Sequence, residues 1–109
     1  MSEIKEITNA IIKFRDERDW AQFHNPKDLA VALNIESAEL LEHFLWKDAE
    51  SADREKVKEE LADIFNYALL LAEKYSFDVS EIVLEKLSQN SKKYPVNKAK
   101  GSAKKYTDL

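Results

Sequence analysis

Residues 25–47, Asn25-Pro26-Lys27-Asp28-Leu29-Ala30-Val31-Ala32-Leu33-Asn34-Ile35-Glu36-Ser37-Ala38-Glu39-Leu40-Leu41-Glu42-His43-Phe44-Leu45-Trp46-Lys47, decide the fold. Asn25 is a preferred N-cap type, and Pro26 suits the first helical position because its missing N–H would have no intrahelical partner there. The stretch predicts a helix from Pro26 to about Lys47. Its runs Leu29-Ala30-Val31-Ala32-Leu33 and Leu40-Leu41 make it apolar over much of its girth, so it needs cover on several sides.

The flanks read as helices too. Ile4, Ile7, Ile11 and Phe14, spaced by three and four, predict a first helix from about Ser2 to Arg18. Residues 19–24 break that stripe. The polar stretch 48–53 offers Ser51 and Asp53 as caps for a third helix ending near Tyr75, with Leu61–Ala72 as its core segment. Asp78-Val79-Ser80-Glu81 has the layout of a capping box and opens a fourth helix through about Ser91, which Tyr94-Pro95 ends. One Gly and two Pro in 109 residues leave few breakers. The fold class is therefore all-α, a four-helix antiparallel bundle over residues 1–94 with a Lys-rich tail, 95–109, read as extended or mobile. The second and third helices have apolar faces too wide for one small bundle to cover, which predicts completion by oligomerisation.

Composition narrows the function classes. The net charge of −4 hides a body at −9 through Ser91 and a segment at +5 from Lys92 onward. An acidic body argues against general nucleic-acid binding, which depends on Lys and Arg neutralising phosphates. No apolar run has the length of a membrane span and no signal-peptide plan is present, so a soluble cytoplasmic protein is expected, with no membrane partner. The absence of Cys removes disulfides, thiolate metal sites and a Cys nucleophile.

Two carboxylate pairs carry the chemistry. Glu36 and Glu39 on the second helix, and Glu60 and Asp63 on the third, are each spaced i, i+3 and so share a helix face. Both pairs sit among core residues: Asp63 lies inside Leu61-Ala62-Ile64-Phe65. Partly buried carboxylates that face one another repel and shift towards protonation unless a cation compensates them. Oxygen ligands of this kind suit Mg²⁺, or Mn²⁺, with room left for water and a substrate phosphate. A solvated acidic face is the usual reading of any single pair; it is the doubled pair in apolar context that points to a metal. Glu42, Glu59, Glu73 and Glu85 have ordinary surface explanations. The Glu-x-x-His pairs of di-iron bundles are missing, since only His24 and His43 are available and Leu40 stands three before His43. His43 shares a face with Glu36 and Glu39, as a structural histidine or as a neighbour of the metal.

With these residues in view, Glu36-x-x-Glu39 followed by Glu60-x-x-Asp63 resembles the metal signature of the MazG-like, all-α NTP pyrophosphohydrolases. Residues 17–24 (Glu17-Arg18-Asp19-Trp20-Ala21-Gln22-Phe23-His24), Phe44-Leu45-Trp46-Lys47, Asn90-Ser91-Lys92-Lys93-Tyr94-Pro95 and Lys100-Gly101-Ser102-Ala103-Lys104-Lys105-Tyr106 look like the dCTP pyrophosphatase subgroup, over essentially the whole chain. The resemblance implies that Glu36, Glu39, Glu60 and Asp63 hold Mg²⁺ against a triphosphate and serve catalysis. It implies a base pocket at Trp20, Trp46 and Tyr67, with Lys86, Asn90 and Tyr94 helping to hold the nucleotide. It further implies a tail folding over the phosphates and a tetramer built as a dimer of dimers. A histidine near the base in the animal relatives is replaced here by Ile11, and the loop between the second and third helices is shorter.

Read from the residues alone, the Trp side chains serve equally as core. The Tyr67 hydroxyl, i+4 from Asp63, reaches the site or is anchored inside, and Asn90 equally ends its helix. The expected reaction is Mg²⁺-dependent hydrolysis of a deoxynucleoside triphosphate, dCTP or a modified dCTP, to monophosphate and pyrophosphate. Glu39 is the expected base. The alternatives are the same fold acting on dUTP, mixed dNTPs or phosphoribosyl-ATP, and a non-enzymatic helical interaction module.

Overall fold

The computed structural model describes residues 2–109 and contains helices only among them. They are α1 (Glu3–Glu17), α2 (Pro26–Glu42), α3 (Arg54–Lys74), α4 (Val79–Lys93) and a short α5 (Val96–Ala99), with 3₁₀ turns at Ala21–Phe23, Ala49–Ser51 and Tyr106–Asp108. The all-α class expected from the sequence is borne out. None of these helices is long and apolar enough to cross a membrane. The chain divides into two compact units, Met1–Phe77 and Asp78–Leu109.

Each major helix starts where a side chain can satisfy its free N–H groups. Ser2 accepts from the Lys5 N–H, Asn25 from Asp28, Asp53 from Glu55 and Lys56, and Asp78 from Glu81. Of the two cap candidates before α3, the structure uses Asp53.

In the first unit α2 packs along α3, and α1 packs on α3. His43, just past the end of α2, meets Glu60 early in α3, and Glu36, further back on α2, meets Glu60 and Asp63. Moving back along α2 is thus moving forward along α3, so the two run antiparallel. The buried apolar core of the described residues is small: Leu29, Leu70 and Ala72. Burying Leu29 contributes about 2 kcal/mol. Large apolar groups such as Leu41, Leu61 and Phe65 remain about half exposed.

The end of α2 is where the sequence reading overran. α2 stops at Glu42 rather than Lys47, because the N–H groups of Phe44, Leu45 and Lys47 bond three residues back instead of four. This tightening closes with Trp46 at φ 64°, the left-handed region, which a bulky residue adopts at a cost of about 1–2 kcal/mol. At the end of α1 the Trp20 N–H bonds the Arg15 carbonyl at 3.1 Å and the Asp19 N–H bonds that of Asp16 at 3.0 Å, with Asp19 at φ 54°. This Schellman closure folds Trp20 back over the helix, where it meets Phe14 edge-on at 5.8 Å.

The second unit holds α4, α5 and the chain's last residues. The segment after Pro95 is more regular than expected: Val96–Ala99 form a helical turn, and Tyr106 packs edge-on against Tyr94 at 6.0 Å with Lys93 over its ring at 4.9 Å.

Candidate functional site

The acidic residues converge across the α2–α3 seam. Glu36, Glu60 and Asp63 each offer a carboxylate oxygen, and the three oxygens lie within 4.8 Å of one another. Glu39 is not in that triplet, yet it lies close enough to Glu36 to act on its ionisation. The Glu36 carboxyl is pushed up to about 7, first by burial and then by the facing carboxyls of Glu39 and Glu60, with Asp63 adding its charge. One of its oxygens, Oε2, is buried without a hydrogen-bond partner. A buried, unpaired carboxylate oxygen facing two further carboxylates is costly as it stands and fits a hard divalent cation. His43 Nε2 lies 3.4 Å from Glu60 Oε1, a contact that helps to fix the orientation of the Glu60 carboxyl. Asn66 likewise donates to Asp63 at 3.5 Å.

Beside the acids a cleft of about 540 Å³ opens between α1 and α3. Ile7, Ile11, Phe14, Trp20 and Leu70 give it apolar walls, and Arg15, His24, Asp63, Asn66 and Tyr67 supply polar groups. That volume and mixture suit a small organic ligand, and Asp63 belongs to both the cleft and the acidic cluster. Tyr67, held above its usual pKa by burial and then by Glu36, Asp63 and Glu39, stands at the same junction. Burial, with Arg15 and Lys74 nearby, lowers the pKa of His24, which favours the neutral ring.

The structure thus brings Glu36, Glu60, Asp63, Tyr67 and Trp20 together, with Glu39 adjacent. Trp46 is fully exposed and not among the residues lining the cleft. Lys86, Asn90 and Tyr94 belong to the second unit; their spacing of four sets them along one face of α4 and its C-cap. Sequence reasoning missed Arg15, His24 and Asn66. The available signal was Arg15 at i+4 from Ile11, a charge on the margin of an apolar stripe. Glu73, read as a surface residue, is instead the ion-pair partner of buried Arg15, with Nη1 to Oε2 at 3.0 Å.

A helical fold that gathers three carboxylates beside a ligand-sized cleft has the donor set to hold a divalent cation next to a small-molecule ligand. The comparisons make this specific. The profile of the MazG-like family matches residues 31–109. Bovine (Bos taurus) dCTP pyrophosphatase 1 is 40% identical over 97% of this chain and 68% of its own length. The Homo sapiens protein of that name is 38% identical over 97% and 67%. A crystal structure of a pyrophosphatase from Archaeoglobus fulgidus superposes with a TM-score of 0.81 at 37% identity, covering 87% of this chain and 94% of that one. The chain belongs to the MazG-like family, and its reaction class is that of a pyrophosphohydrolase.

Proposed function

We propose that this chain hydrolyses deoxynucleoside triphosphates, dCTP or a modified dCTP foremost, to the monophosphate and pyrophosphate, and so controls or cleans the nucleotide pool. The observation that carries the reading is the approach of Glu36, Glu60 and Asp63 within 4.8 Å at the edge of a cleft walled by Trp20 and Tyr67. The sequence relatives named for dCTP support the base.

Glu36, Glu60 and Asp63 would hold Mg²⁺, which when bound supplies polarisation of phosphate oxygens and acidification of a ligated water. Asp63 sits where the phosphate end of a nucleotide meets the cleft. In this reading Glu39, outside the close triplet but beside Glu36, takes the proton of the attacking water. Trp20, fixed by the Schellman closure and the edge of Phe14, offers its ring to the base, while Tyr67 bridges base pocket and acids. Within the second unit, Lys86, Asn90, Tyr94 and the lysines from Lys92 onward are the groups whose positive charge and hydrogen-bonding capacity suit a triphosphate. Exposed Leu61 and Phe65, an i, i+4 pair on α3, support a homo-oligomer, a tetramer as a dimer of dimers, over a monomer. We place the activity in the cytoplasm, in keeping with a Cys-free sequence.

The test is a screen for pyrophosphate release over canonical, 5-methylated and oxidised nucleoside triphosphates in Mg²⁺. Preferential turnover of cytosine nucleotides is expected. Equal rates on every base would remove the dCTP assignment and leave the reaction type standing.

A further inference from the structure

We propose that Arg15 selects the base by donating to the O2/N3 edge of cytosine, an inference that rests on reading the α1–α3 cleft as the nucleotide site. Arg15 is only 7% exposed, yet it lines the cleft. Asp16 Oδ1 accepts from Nε at 2.9 Å and Glu73 Oε2 from Nη1 at 3.0 Å. The Nη2 amino group has no hydrogen-bond partner among the described residues and is not sealed from solvent, and Nη1, which has two N–H groups, gives only one of them to Glu73, so Nη1 and Nη2 together supply the two donors of a fork.

Three features then fix what this group can recognise. Guanidinium nitrogens only donate, so the partner must be an acceptor. Asp16 and Glu73 already compensate the charge, so a neutral carbonyl is preferred to another anion, and the acids near Asp63 are left to meet the phosphates through a cation. Finally, Asp63 and Leu70 stand two helical turns apart, about 10 Å along α3, so a nucleotide with its phosphates at Asp63 extends its base towards the Arg15 end of the cleft.

Cytosine presents two adjacent acceptors, O2 and N3, to a guanidinium fork. Uracil has the same size and the same O2, but its N3 carries a hydrogen that opposes the second donor. Discrimination by Arg15 therefore falls between two bases that the cleft's shape cannot tell apart, and it does so without the histidine that Ile11 replaces.

Steady-state kinetics of the full chain on dCTP and dUTP in Mg²⁺ test this. Wild-type protein is expected to favour dCTP in kcat/KM by at least about tenfold, the scale of one charged hydrogen bond. Arg15→Lys keeps a cation for Glu73 but loses the fork. It should raise KM for dCTP about tenfold, leave kcat unchanged and move KM for dUTP less than about threefold. Glu73→Gln keeps the guanidinium and should keep the preference. A test independent of folding is 2-thio-dCTP on the wild-type chain, whose sulfur is a poorer acceptor; its KM should exceed that of dCTP by about tenfold.

An unchanged dCTP-to-dUTP ratio in Arg15→Lys overturns the proposal, as does an equal loss in Glu73→Gln, which would assign the effect to the ion pair. Wild-type KM values that match for dCTP and its 2-thio analogue also overturn it, as does equal wild-type efficiency on dCTP and dUTP, with hydrolysis left intact. No pyrophosphate from any nucleotide would instead remove the parent reading, and this inference with it.

Discussion

Glu36 on α2 and Glu60 on α3 face each other with carboxylate oxygens less than 4.8 Å apart, and the Glu36 carboxyl is held at about 7 against a usual 4.5. Between those two values the folded chain binds more protons at this group than the unfolded chain does. Its contribution to stability therefore falls as pH rises from about 4.5 to about 7. A divalent cation reverses the effect by favouring the ionised form. Thermal unfolding is expected to show a larger Mg²⁺-induced rise in Tm at pH 8 than at pH 5, and Glu36→Gln should abolish the difference. An equal Mg²⁺ effect at both pH values would contradict this placement of the cation.

The proposed roles of Glu39 as base and Asp63 as metal ligand can be separated by experiment. Glu39→Gln is expected to lower kcat by about 10²-fold or more while Mg²⁺ binding persists, because a general base contributes to the chemical step. Asp63→Asn should weaken Mg²⁺ binding, read by calorimetry on the nucleotide-free protein, as well as activity. If the two variants behaved alike in the binding measurement, the division of labour would be wrong.

The beginnings of the helices were open to the sequence, and so within a residue or two were the ends of α1, α3 and α4; the end of α2 was not. An N-cap is a local device: Asn25, Asp53 and Asp78 bond N–H groups two or three residues away, and each is recognisable from its neighbours alone. The end of α2 depends on a tightening of successive turns and on Trp46 in a left-handed conformation, for which its residue type gives no signal. The acids were legible because carboxylates inside apolar runs are anomalous wherever they occur. Arg15 was not, since its burial depends on Glu73, 58 residues away. The same limit applied to Trp20, whose helix-end position was visible but whose turn back onto Phe14 is a product of the closure at Asp19.

Trp20 gives a direct optical reading of the cleft. With Ca²⁺ in place of Mg²⁺ to slow turnover, dCTP should quench tryptophan fluorescence in the wild type, and Trp20→Phe should lose most of the response. Trp20→Ala is expected to raise KM for dCTP about tenfold, on the scale of one base-stacking contact. Retained quenching in Trp20→Phe would move the base away from this cleft.

Leu61 and Phe65 bear on assembly. Phe65 is 59% exposed and outside the buried core, so Phe65→Asp costs the isolated chain little but opposes an apolar interface. Sedimentation velocity should show the wild type as a tetramer and Phe65→Asp as smaller species. A monomeric wild type would contradict the oligomer.

The reaction itself is tested most directly by incubating the purified chain with dCTP and Mg²⁺ and resolving the products by ³¹P NMR. Signals of dCMP and pyrophosphate in equal amounts are expected, both lost on chelation and in Glu36→Gln. Inorganic phosphate with dCDP, or products that persist unchanged in Glu36→Gln, would contradict the account.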